Sequence, residues 1–535
     1  MESTIIGRGT WLDKTAMMIL EREEQLDRKV DVFKVESGLG ASGIPHVGSL
    51  GDAARAYGLA LALKSAGHDA RYIAFSDDRD GLRKVPRGLP ESLGKHLGCP
   101  VDKVPDPFGC HGSYGDHMSS LLRDSLDKCG IQYEFISAAD AYRRGIFTHE
   151  IDVILSNAGK VGEIIRSEVA QEKYVQALPF FAVCANCGRI YTTTALEYLP
   201  KEKKVAYRCD GMEVRGTRLQ GCGHEGVADI SKAEGKLMWK VEFAMRWSAL
   251  GIHVEAYGKD IADSVRVNDR ICQEILHCPP PYHIRYEMFL DKGGKKISKS
   301  MGNMFTPQVW FRYGSPQSLL LLMFKRVVGS RSLGVSDIPT YMRELDELED
   351  VYFGVKAPSD AMERAKLKGL YEYCWLLSPP PKPSPHIPYN LLVFLAKVAP
   401  KNGEVPFISE RLKRYRLSVD EASADFLSRL KYAQNWTHDF AEITEVRVDL
   451  TENERAAIRE LVSLIRSESD EQKIQNGIFA LAKNYSLDAK SFFRTLYLML
   501  IGSPEGPRLG PYMVAMGREN VAEALSRTAS QSDPS

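Results

Sequence analysis

Two segments of the sequence carry residues suited to binding a nucleoside triphosphate. In ASGIPHVGS at 41–49, Gly43 and Gly48 let the backbone approach a ligand closely, and His46 offers a ring nitrogen to a phosphate. The second segment, DKGGKKISKSMGN at 291–303, is a glycine- and serine-rich loop with four lysines: Lys292, Lys295, Lys296 and Lys299. Lysines that close on a triphosphate would stabilise the charge developing on a departing pyrophosphate. Each segment alone could be a glycine turn or a solvated charged loop, but their occurrence together favours a nucleotide site.

Four cysteines have the spacing of a structural zinc site. Cys184 and Cys187 form a C-x-x-C pair followed by glycine, and two strand-like runs then return the chain to Cys209. The twelve residues between Cys209 and Cys222 exceed the usual spacing, so His224 is an alternative fourth ligand. We prefer Cys222, because a glycine follows it as one follows Cys187. The alternative to a metal site is a set of buried free thiols.

A second group of possible metal ligands comprises Asp106, Cys110, His111 and His117. A carboxylate, a thiolate and two imidazoles suit zinc, although His117 could instead cap a helix or face solvent. We expect both metals to brace a segment that lacks a core of its own and to take no part in chemistry.

The order of predicted elements around the first glycine segment is strand, glycine turn, helix, strand. The runs 31–38 and 70–78 read as strands, with an amphipathic helix at 49–68 between them and another helix at 8–29 before them. This order is typical of a doubly wound α/β nucleotide-binding fold. After about residue 340 the pattern is almost wholly helical.

Length, charge and composition limit the classes of protein that fit. A chain of 535 residues is too long for one core, so we expect two to four domains. Seventy basic residues balance seventy acidic ones, which excludes nucleic-acid binding by bulk charge but permits a local basic groove. One candidate for such a groove is RLKRYR at 411–416. With no signal peptide, no membrane-spanning run and few cysteines, the sequence predicts a cytoplasmic protein.

Together the two nucleotide segments resemble the signature motifs of class I aminoacyl-tRNA synthetases. HVGS at 46–49 is similar to the HIGH motif, with serine in place of the second histidine, and KISKS at 296–300 is similar to KMSKS, with isoleucine in place of methionine. The chain resembles the class I lysyl-tRNA synthetases in particular, clearly over 8–330 and more loosely beyond. Further segments that carry this resemblance are DDRDGLRKVP at 77–86, VPDPFGCH at 104–111, MRW at 245–247 and YGKD at 257–260.

The resemblance implies a fold and a domain order. The fold is α/β, with a doubly wound Rossmann-like nucleotide-binding domain, a zinc-containing insertion and a C-terminal all-α anticodon-binding domain. We therefore predict the first half of the catalytic domain at 1–100, the zinc-binding insertion at 101–235, the second half with the KISKS loop at 236–340, the helical anticodon-binding domain at 341–524 and a disordered tail at 525–535.

The resemblance also implies site residues. It assigns ATP binding to Ser42, Gly43, His46, Gly48, Ser298 and Lys299, and catalysis to His46, Lys296 and Lys299. It assigns the amino-acid substrate to Gly38, Trp247 and Tyr286, with core packing as the alternative for the two aromatic residues. Carboxylates near predicted strand ends are candidates for meeting a substrate ammonium: Glu36, Asp78 and Asp260. Ile261 stands where the family often has histidine.

The implied activity is ATP-dependent activation of lysine and transfer of the lysyl group to the terminal adenosine of lysine tRNA. The resemblance implies ATP and Mg²⁺ for the reaction and Zn²⁺ for the insertion, and we expect a monomer that does not bind membranes. Two alternatives remain: another class I specificity, such as glutamate or arginine, and a non-catalytic tRNA-binding relative. The latter would be expected to lose the signature lysines or the histidine.

Overall fold

The computed structural model describes residues 5–169, 177–214, 217–293, 305–384, 386–399, 403–414, 419–440, 448–501, 508–515 and 517–530. The chain divides into two compact units. The first comprises Met1–Val309, Leu319–Val335 and Gly354–Pro380, and the second comprises Trp310–Ser318, Ser336–Phe353 and Pro381–Ser535. Within the described residues, no helix has the length and apolarity needed to cross a membrane.

Helices and strands alternate through the first part of the chain. In chain order they are α1 (Trp11–Gln25), β1 (Phe33–Leu39), α2 (Val47–Ser65), β2 (Ala70–Ser76), α3 (Tyr114–Lys128), β3 (Glu134–Ser137), α4 (Ala138–Arg143), α5 (Thr148–Ser156) and α6 (Ala158–Val169). Short strands follow: β4 (Phe180–Ala182), β5 (Thr194–Leu199), β6 (Lys204–Arg208), β7 (Gly211–Val214), β8 (Thr217–Gln220), β9 (Glu225–Asp229) and β10 (Gly235–Leu237). The alternation then resumes with α7 (Trp239–Leu250), β11 (Val254–Gly258), α8 (Ala262–Glu274), β12 (Tyr282–Tyr286) and β13 (Phe289–Leu290).

The rest of the described chain is almost entirely helical. Its elements are α9 (Pro307–Tyr313), α10 (Pro316–Phe324), β14 (Arg331–Ser332), α11 (Ile338–Tyr352), α12 (Ala361–Cys374), α13 (Tyr389–Val398), α14 (Glu404–Arg414), α15 (Ala424–Phe440), α16 (Glu452–Ser467), α17 (Glu471–Asn484), α18 (Ala489–Ile501), α19 (Leu509–Ala515) and α20 (Arg518–Ser530).

A five-stranded parallel sheet forms the centre of the first unit, in the order β12-β11-β1-β2-β3. Strands β1, β2 and β11 at the centre of the sheet are largely buried, as expected where helices cover a parallel sheet on both faces. Helix α2 is buried along most of its length, which accounts for its small and aliphatic residues. The predicted α/β class, with a parallel nucleotide-binding sheet and a helical C-terminal region, is confirmed.

Strand β3 belongs to this sheet, although the sequence assigned residues 101–235 to the zinc insertion. Its register with β2 runs from Ile73 opposite Glu134 to Ser76 opposite Ser137. The boundary predicted at residue 100 is therefore too early. The sequence pattern did not indicate this strand, because it has only four residues and lies half-exposed at the edge of the sheet. It therefore lacks an apolar run.

The antiparallel part of the insertion begins with β4. Strands β5, β6 and β9 form a three-stranded sheet, β7 pairs with β8, and β4 pairs with β10. The hairpin predicted between Cys187 and Cys209 is present as β5 and β6.

Helix α12 belongs to the first unit, although it follows the boundary predicted at residue 340. The Tyr373 hydroxyl donates to Asp13 Oδ1 at 2.9 Å. Gly369 packs so closely on Arg8 that an added Cβ would lie 2.4 Å from the Arg8 carbonyl oxygen. These contacts tie α12 to the segment around α1.

The second unit has its own core, which extends into the predicted disordered tail. Val521, Ala522 and Leu525 on α20 are buried in this core. The prediction of disorder is therefore wrong for residues 525–530, because an apolar stripe on a polar-looking helix is covered by its neighbours. Residues 531–535 lie outside the described part of the chain.

Candidate active site

A cavity of about 250 Å³ lies at the carboxyl ends of the central strands. Strand β1 pairs with β2 on one side and with β11 on the other, so the strand order reverses here. Open α/β sheets bind ligands at such a position. Of the residues that the sequence analysis named individually, six line the cavity: Gly38, His46, Gly48, Asp260, Ile261 and Tyr286.

His46 is both a cavity residue and the N-cap of α2. Its Nδ1 accepts a hydrogen bond from the Ser49 backbone N–H at 3.2 Å. Gly48 is needed beside it, since an added Cβ would lie 2.7 Å from the His46 ring. The N-terminus of a long helix carries partial positive charge and suits the phosphates of a nucleotide.

Ser42 and Gly43 are not among the residues that line this cavity. The Ser42 carbonyl instead accepts a hydrogen bond from the Tyr114 hydroxyl at 3.2 Å. Lys296, Ser298 and Lys299 lie outside the described residues, so their predicted roles rest on the sequence.

Arg246, from the MRW segment on α7, is completely buried among three carboxylates. Arg246 Nε lies 2.7 Å from Glu36, Nη1 lies 3.2 Å from Asp77, and Nη2 lies 3.3 Å from Glu255. Asp77 and Glu255 line the cavity. Arg246 therefore fixes two carboxylates in the cavity wall, and the cluster has three carboxyl groups to one guanidinium.

Burial controls the pKa values of these carboxylates. It raises the pKa of Asp77 to about 7, although Arg246 opposes the shift. It also raises the pKa of Glu255, and the neighbouring Glu36 adds to that shift. A bound cation would favour the ionised forms of both groups.

Asp52 and Arg55 on α2 also line the cavity, together with Tyr286 from β12. Arg55 lies over the Tyr286 ring, 4.5 Å from its centroid. Burial raises the pKa of Tyr286 well above its ordinary value, and a hydrogen bond to Asp52 contributes to the shift. Tyr286 thus holds the Asp52 carboxylate at the cavity.

Trp247, Glu36 and Asp78 do not line the cavity. The buried Trp247 indole donates to Glu255 Oε2 at 3.3 Å and stacks against Phe243, so it supports the wall from behind. The Asp78 carboxylate accepts the Ala139 backbone N–H at 2.8 Å. Of the three carboxylates singled out from the sequence, only Asp260 is a lining residue.

Comparison with known proteins shows the family to which this chain is related. The profile described as "tRNA synthetases class I (K)" matches residues 9–374. The chain belongs to this family. A lysine--tRNA ligase of Cenarchaeum symbiosum is 50% identical over 522 residues, which cover 98% of this chain and 99% of that relative. A lysine--tRNA ligase of Haloarcula marismortui is 30% identical over 555 residues, covering 98% of both chains.

Sequence reasoning missed several cavity residues of this class I tRNA synthetase. Asp52 and Arg55 follow Gly48 by four and seven residues, so helical periodicity from the HVGS motif could have located them. Asp77 directly precedes Asp78 and is the first residue after β2. Glu255 carried no signal, because it stands within an apolar strand.

The four cysteines of the synthetase converge as the sequence predicted. Their sulfur atoms lie within 4.8 Å of one another. Cys184 Sγ lies 3.5 Å from Cys222 Sγ, and Cys187 Sγ lies 3.8 Å from Cys209 Sγ. Ligands of a tetrahedral thiolate site with bonds of about 2.3 Å are about 3.8 Å apart, so this donor set fits zinc.

Among the described residues, His224, the alternative fourth ligand, does not belong to the group of possible metal ligands that the four cysteines form. Its ring lies beside Tyr207, with the centroids 6.2 Å apart. The geometry therefore favours Cys222.

The second predicted group also converges. The donor atoms of Asp106, Cys110, His111 and His117 lie within 4.8 Å of one another. Cys110 Sγ lies 3.1 Å from His111 Nδ1 and 3.3 Å from His117 Nδ1. Backbone N–H groups of Cys110 and His111 donate to Asp106 Oδ2 at 2.9 Å and fix the carboxylate. This mixed donor set also fits zinc.

Proposed function

We propose that this synthetase activates lysine with ATP and transfers the lysyl group to the 3′-terminal adenosine of lysine tRNA. The observation that carries the proposal is the charge of the cavity. Among its described lining residues are five carboxylates and two guanidinium groups. Such a cavity suits a substrate with two ammonium groups and disfavours glutamate. The names of the relatives support lysine over arginine.

The substrate amino acid would lie between the two sides of the cavity. Gly38 leaves room in front of Asp77, since an added Cβ would lie 3.4 Å from Asp77 Oδ2. We assign the α-ammonium to this side and the ε-ammonium to Asp52 and Tyr286. A buried ammonium needs a carboxylate partner or an aromatic face, and this arrangement offers both.

The ATP phosphates would lie at the N-terminus of α2 and His46. The lysine carboxylate attacks the α-phosphorus in line, the α–β phosphoanhydride bond breaks, and pyrophosphate leaves with the electron pair. No covalent enzyme intermediate is needed, so the protein contributes orientation and charge stabilisation. Lys296 and Lys299 would stabilise the β- and γ-phosphates in the transition state. Mg²⁺, when bound to ATP, supplies further neutralisation of phosphate charge.

We assign the helical C-terminal part of the chain to recognition of the tRNA anticodon. Two zinc ions would brace the insertion through the cysteine cluster and the Asp106 cluster. Charging of lysine tRNA with radiolabelled lysine tests the full reaction. Acid-precipitable lysine that depends on ATP and tRNA is expected; adenylate formation without transfer would limit the activity to the first step.

The pH dependence of lysine binding should report the Asp77 carboxylate. With a pKa of about 7, Asp77 is mostly ionised at pH 8 and mostly protonated at pH 6. Since the lysine ammonium favours the ionised form, we expect the KM for lysine to rise about tenfold from pH 8 to pH 6. Asp77→Asn should have a high KM that varies little with pH. A wild-type KM that stays constant over this range would remove Asp77 from substrate binding.

Metal content should distinguish the two candidate fourth ligands. We expect Cys222→Ser and Cys184→Ser each to lose one zinc equivalent, measured by plasma mass spectrometry on purified protein, because three thiolates leave the tetrahedral site incomplete. His224→Ala is the matched control and should retain the wild-type zinc content. Zinc loss in His224→Ala with full retention in Cys222→Ser would reverse the assignment.

A further inference from the structure

Three aromatic rings form a row on the surface of the second unit. Phe479 on α17 and Phe493 on α18 have ring centroids 4.7 Å apart, and Tyr497 follows at 6.4 Å from Phe493. Phe479 is 51% exposed, whereas Phe493 and Tyr497 are half-buried against the core. We call these three residues the aromatic row. A contiguous, partly exposed group of aromatic rings on a protein surface is typical of an interaction site.

Cations flank the aromatic row on both helices. Lys483 follows Phe479 by four residues, while Lys490 and Arg494 each precede a ring of the row by three. Residues three or four apart share one face of a helix. All three side chains are exposed, and within the described residues none of them forms an ion pair. The positions three and four residues on either side of each ring carry no carboxylate.

Polar groups extend the surface beyond Phe479. Arg508 Nη2 donates to Gln472 Oε1 at 2.9 Å, and Gln472 Nε2 donates to Asn476 Oδ1 at 2.9 Å. Gln472 and Asn476 precede Phe479 by seven and three residues on α17. Amide and guanidinium groups therefore border the aromatic row at one end, and cations lie along its sides.

We propose that the aromatic row stacks the unpaired bases of the tRNA anticodon loop, with Lys483, Lys490 and Arg494 on the neighbouring phosphates. Rings that accept base faces, combined with cations that follow a backbone, are how proteins bind single-stranded nucleic acid. Three cations and no carboxylate at the helical positions beside the rings favour a polyanionic partner over an uncharged, apolar one. The proposal rests on the proposed function, which makes tRNA a substrate.

The test measures binding of a lysine tRNA transcript to the full-length protein by filter binding. Removing one stacking ring is expected to weaken binding about tenfold or more, so Phe479→Ala should raise the Kd by that factor. Phe479→Trp should retain near wild-type affinity because it keeps a stacking surface. Leu427→Ala, which removes a 41% exposed apolar side chain from α15 of the same unit, is the matched control and should bind normally.

Two RNA fragments identify the part of the tRNA involved. An anticodon stem-loop should compete with the tRNA for the wild-type protein and lose this ability with Phe479→Ala, whereas an acceptor minihelix should be unaffected by the substitution. An unchanged Kd for Phe479→Ala, an equal loss in Leu427→Ala, or a loss confined to the minihelix would overturn the proposal. Lysine-dependent pyrophosphate exchange by the wild-type protein, measured separately with tRNA present, tests the proposed function. Absence of this exchange would overturn the proposed function and would not bear on RNA binding by the aromatic row.

Discussion

Asp52→Asn is expected to lower kcat/KM for lysine about 10³-fold in ATP–pyrophosphate exchange, because it leaves the buried ε-ammonium without its counter-ion. Asparagine keeps the size of the side chain and can still contact the Tyr286 hydroxyl. The loss should therefore come from charge rather than from packing. The KM for ATP should change little, since the phosphates are assigned to His46 and the lysine-rich loop.

Norleucine makes this prediction specific to the ε-ammonium. It has the lysine chain length without the terminal charge, so the wild-type enzyme should strongly prefer lysine, and Asp52→Asn should lose most of that preference. Asp69→Asn is the matched control, because Asp69 is an exposed carboxylate directly before β2. An Asp52→Asn enzyme that still discriminates as the wild type does would show that another carboxylate meets the ε-ammonium.

Lys299→Ala is expected to lower kcat for lysine activation about 10²-fold, with little change in the KM for lysine. The residue belongs to the KISKS segment, and its proposed contribution is made in the transition state, when charge moves onto pyrophosphate. An interaction made only in the transition state lowers kcat when it is removed.

Lys295→Ala provides the comparison for Lys299→Ala. Lys295 belongs to the same lysine-rich loop but precedes the KISKS motif by one residue. Because Lys295 lies outside the KISKS motif, its removal should change kcat by less than about threefold. Equal losses in the two variants would indicate a general effect of loop charge, and wild-type turnover in Lys299→Ala would exclude that residue from the mechanism.

The parallel sheet and its ligand-binding edge could be predicted from the sequence because their signals are local. The glycine turn lies between β1 and α2, HVGS begins α2, and YGKD ends β11, so both motifs mark carboxyl ends of strands. Carboxyl ends of parallel strands meet at one edge of the sheet. Strand β3 had no comparable signal, since it is short and lies at the sheet edge.

The charged wall of the cavity could not be predicted, because it depends on contacts between distant parts of the chain. Arg246 pairs with Glu36 across more than two hundred positions, and the sequence gives no indication that these residues meet. Trp247 illustrates the converse case. Its motif pointed to the substrate, but the next residue on a helix faces a different direction, and the indole lies behind Glu255.

The cysteine cluster could be predicted only in part, because some of its contacts are local in sequence and others are not. The C-x-x-C pair and its hairpin are local, whereas the positions of Cys222 and His224 relative to the other three cysteines depend on how the chain folds before β9. In the structure, Cys222 lies within the cysteine cluster, while the His224 ring lies beside Tyr207.

ATP–pyrophosphate exchange with each of the standard amino acids, run with and without total tRNA, tests the central claim most directly. Exchange driven by lysine alone is the predicted result, because the cavity combines an excess of carboxylates with the nucleotide-binding edge of the sheet. Exchange driven by glutamate or arginine, or by no amino acid with tRNA present, would contradict the assignment of lysine to this cavity.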